Sequence, residues 1–426
     1  MELKATDVGT IPRDWEVATI QDVNPFVTSG SRGWAEYYTE IGAPFIRITN
    51  LSRDTIYIDL ADLKFVRLPS SDTEGLRTQL RDGDLLVSIT ADIGIVGFVD
   101  GRVPMPAYIN QHIALVRVDP AKADSRFAAY FLASANPQRA FRSGTDQGAK
   151  AGMNLASVRA IKLALPPLAE QRAIAAALSD VDALITSLDR LIAKKRDLKQ
   201  GVMQQLLTGQ TRLPGFSQKW ETKRLGDLFV FSGGYTASRD QLSTNGHLYL
   251  HYGDIHKSSR TFIDVQVESE DIPRLDVPLK RVSASSMLDD GDVVFVDASE
   301  DDAGTSRHVV VVNKDKRPFI SGLHTIVAKG KTDELAHEYR RYCFQTASIR
   351  QQFLFYSVGT KVSGISKRNI PRLTMPLPGV SEQIAIATML SDMDAELAAL
   401  EQRRDKTRLL KQGMMQELLT GRTRLL

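Results

Sequence analysis

The sequence predicts an α+β protein built as a pseudo-twofold tandem repeat. Two β-rich α+β heads are separated by two long helices that pair as an antiparallel coiled coil. The first observation behind this is a block that occurs twice. Residues 165–213 and 377–425 align without a gap at a constant offset of 212, and 28 of the 49 pairs are identical. Repetition at so long a period marks duplicated architecture. The second is apolar spacing inside the block: Ile174, Leu178, Val181, Ile185, Leu188 and Ile192 step 4-3-4-3-4, the seam of a coiled coil. The third is a fainter likeness between the segments that precede the two blocks.

The chain therefore divides into a head (1–164), a helical region (165–213), a second head (214–376) and a second helical region (377–426). The first helix starts after Pro166-Pro167, where proline suits a helix entrance. In the second copy Ser381 is placed to cap the helix ahead of Glu382, an acid suited to a first turn. The second seam runs Ile386, Leu390, Met393, Leu397 and Leu400, then breaks at Arg404; apolar spacing resumes at Leu198 and Val202, and at Leu410 and Met414. Gly209 and Gly421 stand where a glycine stop belongs. About 39 helical residues make a helix roughly 58 Å long. Gly201 and Gly413 fall inside both helices, where a glycine costs roughly 1 kcal/mol relative to alanine. Close helix–helix or partner contact is the expected reason.

The heads share Trp15-Glu16 with Trp220-Glu221, LRDGDLLVSI (80–89) with LDDGDVVFVD (288–297), and a strand around His112 with one around His324. Each Gly-Asp turn leads into an apolar β-branched strand. Helical stretches follow at Phe127–Arg142 and Glu338–Phe355. Pro214-Gly215-Phe216, after the first block, matches what the N-terminus supplies, so the sequence reads as a circle cut between the second helix and the first head. That predicts neighbouring termini and antiparallel helices.

Composition bounds the function. At 426 residues, with 42% hydrophobic and 25% charged residues, the chain is ordinary for a soluble multidomain protein. The single cysteine, Cys343, rules out an internal disulfide and fits a reducing cytoplasm. The polar N-terminal stretch is no signal peptide, and no apolar run approaches a membrane span. Net charge is +3 and no segment exceeds +2, so any nucleic-acid face is a local patch. The basic run Lys194-Lys195-Arg196 with Lys199, and its counterpart Arg403 to Lys411, reads first as a solvated helix face.

Catalytic constellations are missing from the sequence. Pro166-Pro167 is followed by Leu168, so there is no adenine-methylation motif of the Asn/Asp-Pro-Pro-aromatic type. Gly330-Lys331-Thr332 lacks the earlier glycine of a phosphate-binding loop, since Thr325 stands there. His247, His251 and His256 cluster, but neither cysteine nor a suitably spaced carboxylate accompanies them, so they read as strand-end or DNA-facing residues.

LPPLAEQRAI (165–174), LKQGVMQQLLTG (198–209), their second copies, GDLLVSI (83–89) and the triplet Asn110-Gln111-His112 together resemble the specificity subunit of type I restriction–modification systems. The resemblance covers the whole chain. In the second head Gly322-Leu323-His324 replaces the triplet, so only the histidine carries across. The resemblance implies a non-catalytic subunit whose heads are target recognition domains, each reading half of a split double-stranded DNA site. It implies that the paired helices set the spacer and dock two adenine-N6 methyltransferase subunits. A motor and nuclease subunit completes the complex. S-adenosylmethionine and ATP with magnesium belong to those partners, and this chain binds no cofactor or metal. A cytoplasmic location and no membrane partner follow. A type IIB specificity chain and a scaffold without a DNA role are the competing readings.

Base edges are read by Arg, Asn, Gln and Thr side chains. In the first head that points to Arg47, Thr49, Asn50, Ser88, Thr90, Asn110, Gln111 and His112. In the second it points to His251, Tyr252, His256, Lys257, Arg260 and His324. Asn110, Gln111, His112 and His324 serve equally as braces of the fold. Lys150 and Lys361, in polar loops before each helical region, are candidates for phosphate contact. The acidic run Asp297 to Asp302 is expected off the DNA backbone.

Overall fold

In the computed structural model, residues 2–30, 32–69, 73–145, 152–258, 260–299, 307–358 and 363–425 are described. The chain forms two compact units. One comprises Met1–Arg190 with Glu401–Leu426, the other Leu191–Leu400. Both long helices pass through both units, Leu168–Thr208 over 41 residues and Val380–Leu418 over 39. At about 1.5 Å per residue they span roughly 62 and 58 Å. No helix among the described residues is long and apolar enough to cross a membrane.

In the first unit an antiparallel sheet has the order Phe26–Ser29, Ile113–Arg117, Leu85–Ser88, Val96–Phe98. A mixed sheet, ordered Tyr108–Ile109, Ala43–Ile46, Lys64–Val66, Tyr38–Thr39, covers a second small core. Glu16–Thr19 pairs antiparallel with Lys162–Leu165, so the head's entry strand lies beside the strand that leads into the long helix. The second unit repeats the scheme. Its antiparallel core runs Phe229–Gly233, Thr325–Gly330, Val293–Val296, His308–Val312, and Phe262–Asp264 adds in parallel at the edge. Glu221–Arg224 pairs with Thr374–Leu377.

The Gly-Asp turns have a local cause. Gly83 and Gly291 hold left-handed φ angles of 86° and 82°, which glycine adopts without a Cβ clash. The aspartate that follows is buried. Asp84 accepts from the Arg81 amide and from two nitrogens of Arg117, each at 2.7 Å. Asp292 accepts from the Asp289 amide at 2.8 Å and Lys329 Nζ at 2.7 Å. Each helical stretch of the heads is two helices, not one: Ser125–Ala133 with Ala135–Thr145, and His337–Cys343 with Ala347–Tyr356. His112 and His324 lie in tight turns between strands, not within strands.

Within each unit the helices pair antiparallel. In the first, Glu170, Asp182 and Asp189 run forward while their partners Arg424, Lys411 and Arg404 run backward. In the second, Lys195, Lys199 and Arg212 meet Glu396, Asp394 and Glu382. Ile174, Leu178, Leu188 and Ile192 are buried, as are Ile386 and Leu390. Val181, Ile185, Met393, Leu397 and Leu400 are half-buried. Ile174 and Leu178, with Leu418 and Leu419, belong to the first head's core, and Ile386 and Leu390 to the second head's. The first turns of the helices therefore anchor heads as well as each other.

Four sequence expectations fail here. The second helix begins at Val380, so Ser381 lies inside its first turn. Leu198 and Leu410 are 53% and 58% exposed, because the neighbouring Lys199 and Lys411 take the inward positions. Those two lysines accordingly leave the solvated basic face. A Cβ on Gly201 or Gly413 would meet nothing within 4 Å, so close helix packing does not explain either glycine. Gly209 and Gly421, with φ of 72° and 67°, do end the helices in the left-handed conformation.

Gly201→Ala and Gly413→Ala should each stabilise the chain by roughly 1 kcal/mol and raise Tm by about 2–4 °C. Calorimetry on the purified chain checks this, and a fall in Tm would reveal a neighbour that the open space denies.

Candidate nucleic-acid interface

In the first head the candidates divide by burial. Arg47 precedes the short helix Ile48–Asn50, and its amide donates to Asn50 Oδ1 at 3.0 Å. Asn50 is buried and donates to the carbonyls of Asp59 and Asp62, both at 3.1 Å. It shapes the loop and has no free edge for a base. Ser88 is fully buried; its hydroxyl donates to Asp92 O and accepts from the Ile95 amide at 2.8 Å. Asn110 is buried too, and its Oδ1 accepts from the His112 amide at 3.2 Å. In this structure all three brace the turns that carry their neighbours, which for Asn110 is one of the two roles its sequence allowed. Thr49 is exposed; Arg47, Thr90, Gln111 and His112 are half-buried. Gln111 Nε2 stands 3.2 Å from His112 Nε2, so the two side chains form one polar unit. Arg47 is held at 3.3 Å from Asp62 Oδ2 by a surface pair weak enough to exchange for another acceptor.

In the second head Tyr252 gathers the candidates. Its ring lies 4.5 Å from His251, 6.1 Å from His256 and 5.3 Å from His324. His247 sits apart, at the start of the strand His247–Leu250. His251 is only 7% exposed and caps the helix Tyr252–Lys257: its Nδ1 accepts from the Gly253 amide at 3.0 Å. That is a structural role for its Nδ1. His256 Nε2 lies 3.3 Å from the Ala298 carbonyl. His324 holds a left-handed φ of 59° and its Nδ1 lies 3.2 Å from Asp297 Oδ1. Arg260 is exposed, paired loosely with Glu268 at 3.5 Å. Lys150 and Lys361 lie outside the described residues, as does the side chain of Lys257 and most of the acidic run after Asp297.

Sequence reading missed the polar clamps beneath the heads. In the first unit Tyr130 donates to Asp182 Oδ2 at 2.7 Å, and Lys411 Nζ meets Asp182 Oδ1 at 2.7 Å. These three residues line a cleft of about 1350 Å³. In the second unit Tyr342 donates to Asp394 Oδ2 at 2.9 Å, and Lys199 pairs with the same carboxylate. Burial, and then the adjacent carboxylate, pushes both phenols above their ordinary range, so they stay hydroxyl donors. A second clamp repeats as well. Arg424 forks onto Glu170 and Asp14 over the Trp15 ring. Arg212 forks onto Glu382 over the Trp220 ring, and Trp220 Nε1 donates to Glu382 at 2.9 Å. The hydrogen bonds to Glu170 and then Asp14 raise the Arg424 guanidinium above its usual value. In a third, Gln171 and Gln383 accept from the amides of Asp124 and Ala336, both at 2.8 Å. The signal was available: nearly every member recurs 212 residues on.

The comparisons with known proteins follow the same layout. The model of the type I restriction modification DNA specificity domain matches residues 12–195 and 217–409. The chain belongs to that family. A Methanocaldococcus jannaschii protein assigned as the type I restriction enzyme MjaX specificity subunit is 24% identical, over 99% of this chain and 96% of its own. The MjaVIII specificity subunit of the same organism is 26% identical over 62% of each chain. Among solved structures, an S subunit of a type I system from M. genitalium superposes with a TM-score of 0.56 at 14% identity, covering 96% of both chains. A chain solved in work on assembly and conformational transition of the type I R-M system gives 0.55 at 16%, covering 97% of this chain and 99% of that one. At these identities the structures establish a shared fold.

Removing Arg212 would leave Glu382, whose side chain is 3% exposed, with a buried and largely unpaired charge. Arg212→Ala should cost about 3–5 kcal/mol, and Arg212→Met with Glu382→Gln distinctly less; urea unfolding distinguishes them. Burial holds His251 below the usual histidine value, with Arg239 and His324 adding to this and Asp254 opposing it. A histidine kept neutral in the fold confers full stability above its unfolded value near 6.5 and loses it as pH falls from there through its depressed folded value. The helix after His251 should thus loosen on acidification. His251→Asn keeps the cap and should flatten that part of the pH profile, read by histidine NMR and thermal melts from pH 7.5 to 5.

Proposed function

We propose that this chain is the non-catalytic, sequence-specific DNA-recognition subunit of a type I restriction–modification complex. Each head, 1–164 and 214–376, reads one half of an asymmetric bipartite target. The helical regions 165–213 and 377–426 set the spacer and dock two adenine-N6 methyltransferase subunits; a motor and nuclease subunit completes the assembly. S-adenosylmethionine and ATP with magnesium act on those partners. The observation that carries this reading is the family match, which spans both heads and runs into both long helices. It is supported by the duplication of the clamps beneath heads whose outer loops differ. Two sites read from one side of a duplex stand roughly 34–36 Å apart, well within the length of either helix.

Among the candidates for base reading, those with exposed or half-buried side chains take precedence. They are Arg47, Thr49, Thr90, Gln111 and His112 in the first head, and Tyr252, His256, Arg260 and His324 in the second. Lys257 remains a base-reading candidate, and Lys150 and Lys361 are proposed phosphate contacts.

The test is the pattern of N6-methyladenine in cells carrying this chain with and without its methyltransferase, read by single-molecule sequencing. One split motif should appear only when both are present; no new motif from a soluble, co-purifying pair would sink the reading. Gln111→Ala should relax one half-site and His256→Ala the other, each by about 1–3 kcal/mol of base discrimination.

A further inference from the structure

We infer that Tyr130–Asp182–Lys411 and Tyr342–Asp394–Lys199 are positioning elements that fix each head on its helix pair and thereby hold the DNA spacer to a single length. The inference rests on the reading of the heads given above. In both units the tyrosine comes from a head helix, Ser125–Ala133 or His337–Cys343, while the aspartate and the lysine come one from each long helix. The aspartate is the hub. One of its oxygens takes the phenol and the other takes the ammonium, so three separate elements meet at one carboxylate. The lysine nitrogen also lies 5.7 Å from the tyrosine ring centre in both copies.

The contacts packed around each hub are aliphatic and aromatic, and apolar contact is non-directional. Helices packed that way tolerate small rotations and slides. The arginine and glutamine clamps fix the helix ends, at Glu170, Gln171, Glu382 and Gln383, about three turns from the hubs. Hydrogen bonds weaken over a few tenths of an ångström, and Asp182, a buried carboxylate, carries a large penalty when stripped of its partner; Asp394 is half-buried and more loosely held. A slide of one helical residue is about 1.5 Å, and one base pair is about 3.4 Å of duplex. The clamp's tolerance is thus several times finer than the step it has to discriminate. A buried polar contact in an otherwise permissive apolar seam, as Asp182 with Lys411 makes, is the best-attested way to specify register. In the first unit the hub is also tied sideways: Tyr57 lies 3.5 Å from the Tyr130 hydroxyl and 2.8 Å from Ser179 Oγ on the long helix.

The test uses the full chain in complex with its methyltransferase. Tyr130→Phe, Asp182→Leu and Lys411→Met together replace the clamp with apolar groups of similar volume, a change that buried ion pairs commonly tolerate. Lys411→Arg alone keeps the charge. The readout is the distribution of adenine methylation over spacer lengths, beside the Tm of each purified chain. The triple variant should keep both half-site sequences and fold, while methylation at spacers one base pair longer or shorter rises about tenfold over wild type, equivalent to about 1.4 kcal/mol of discrimination. Lys411→Arg should keep one spacer. A triple variant confined to the wild-type spacer overturns the inference, and so does one that loses methylation at all spacers in step with its Tm. A wild-type complex with no split motif would instead overturn the reading of the heads.

Discussion

Glu170 and Glu382 stand in the first turns of the two long helices with side chains almost closed to solvent, and each faces an arginine from the end of the opposite helix. A buried carboxylate is tolerable only when its charge is matched and its lone pairs are filled. Arg424 does this in one unit and Arg212 in the other, each from the segment just after a left-handed glycine. The glycine turns the chain so that the arginine comes back over a tryptophan of the head. Helix end, helix start and head entry strand are thus tied at one point. The antiparallel direction of the helices follows, because the pair can form only when one helix begins where the other stops.

That constraint also decides which parts of the chain fold together. The second unit is a continuous stretch, Leu191–Leu400, which holds both of its helical halves. The first unit draws its second helix from Glu401–Leu426, far along the chain. Its core includes Leu418 and Leu419, its clamp needs Lys411, and its entry strand is closed by Arg424. The first head is therefore incomplete until the C-terminal helix arrives. Its long-range contacts make it the slower of the two to assemble by contact-order reasoning.

The periodic features were legible in sequence. Seam residues such as Ile174, Leu178 and Ile386, the glycine stops and the antiparallel direction follow from spacing and repetition alone, because helical geometry converts spacing directly into faces. The Gly-Asp turns were legible as strand starts, though nothing in the sequence showed that Asp84 and Asp292 would be buried against Arg117 and Lys329. Candidate contacts were less legible. Asn50, Ser88, Asn110 and His251 have the right chemistry to meet a base, but each is buried and bonds to nearby backbone. A polar side chain near a turn competes between its own backbone and the outside, and tertiary partners decide the outcome. Leu198 and Leu410 failed for the converse reason: an apolar residue turns outward when a neighbouring lysine has a carboxylate on the opposite helix to reach.

The two copies of the architecture differ in a way that physical reasoning explains. Residues repeated at 212 positions, such as Tyr130 with Tyr342 and Asp182 with Asp394, each serve two or three partners at once. Changing one of them strands the others. The segments around Thr49 and Gln111 in one head and Tyr252 and Arg260 in the other differ in sequence. A protein that must present new surfaces on an unaltered frame is best built with that division. The clamps tie several elements at single residues, and change is therefore cheapest where a side chain has no such shared partner.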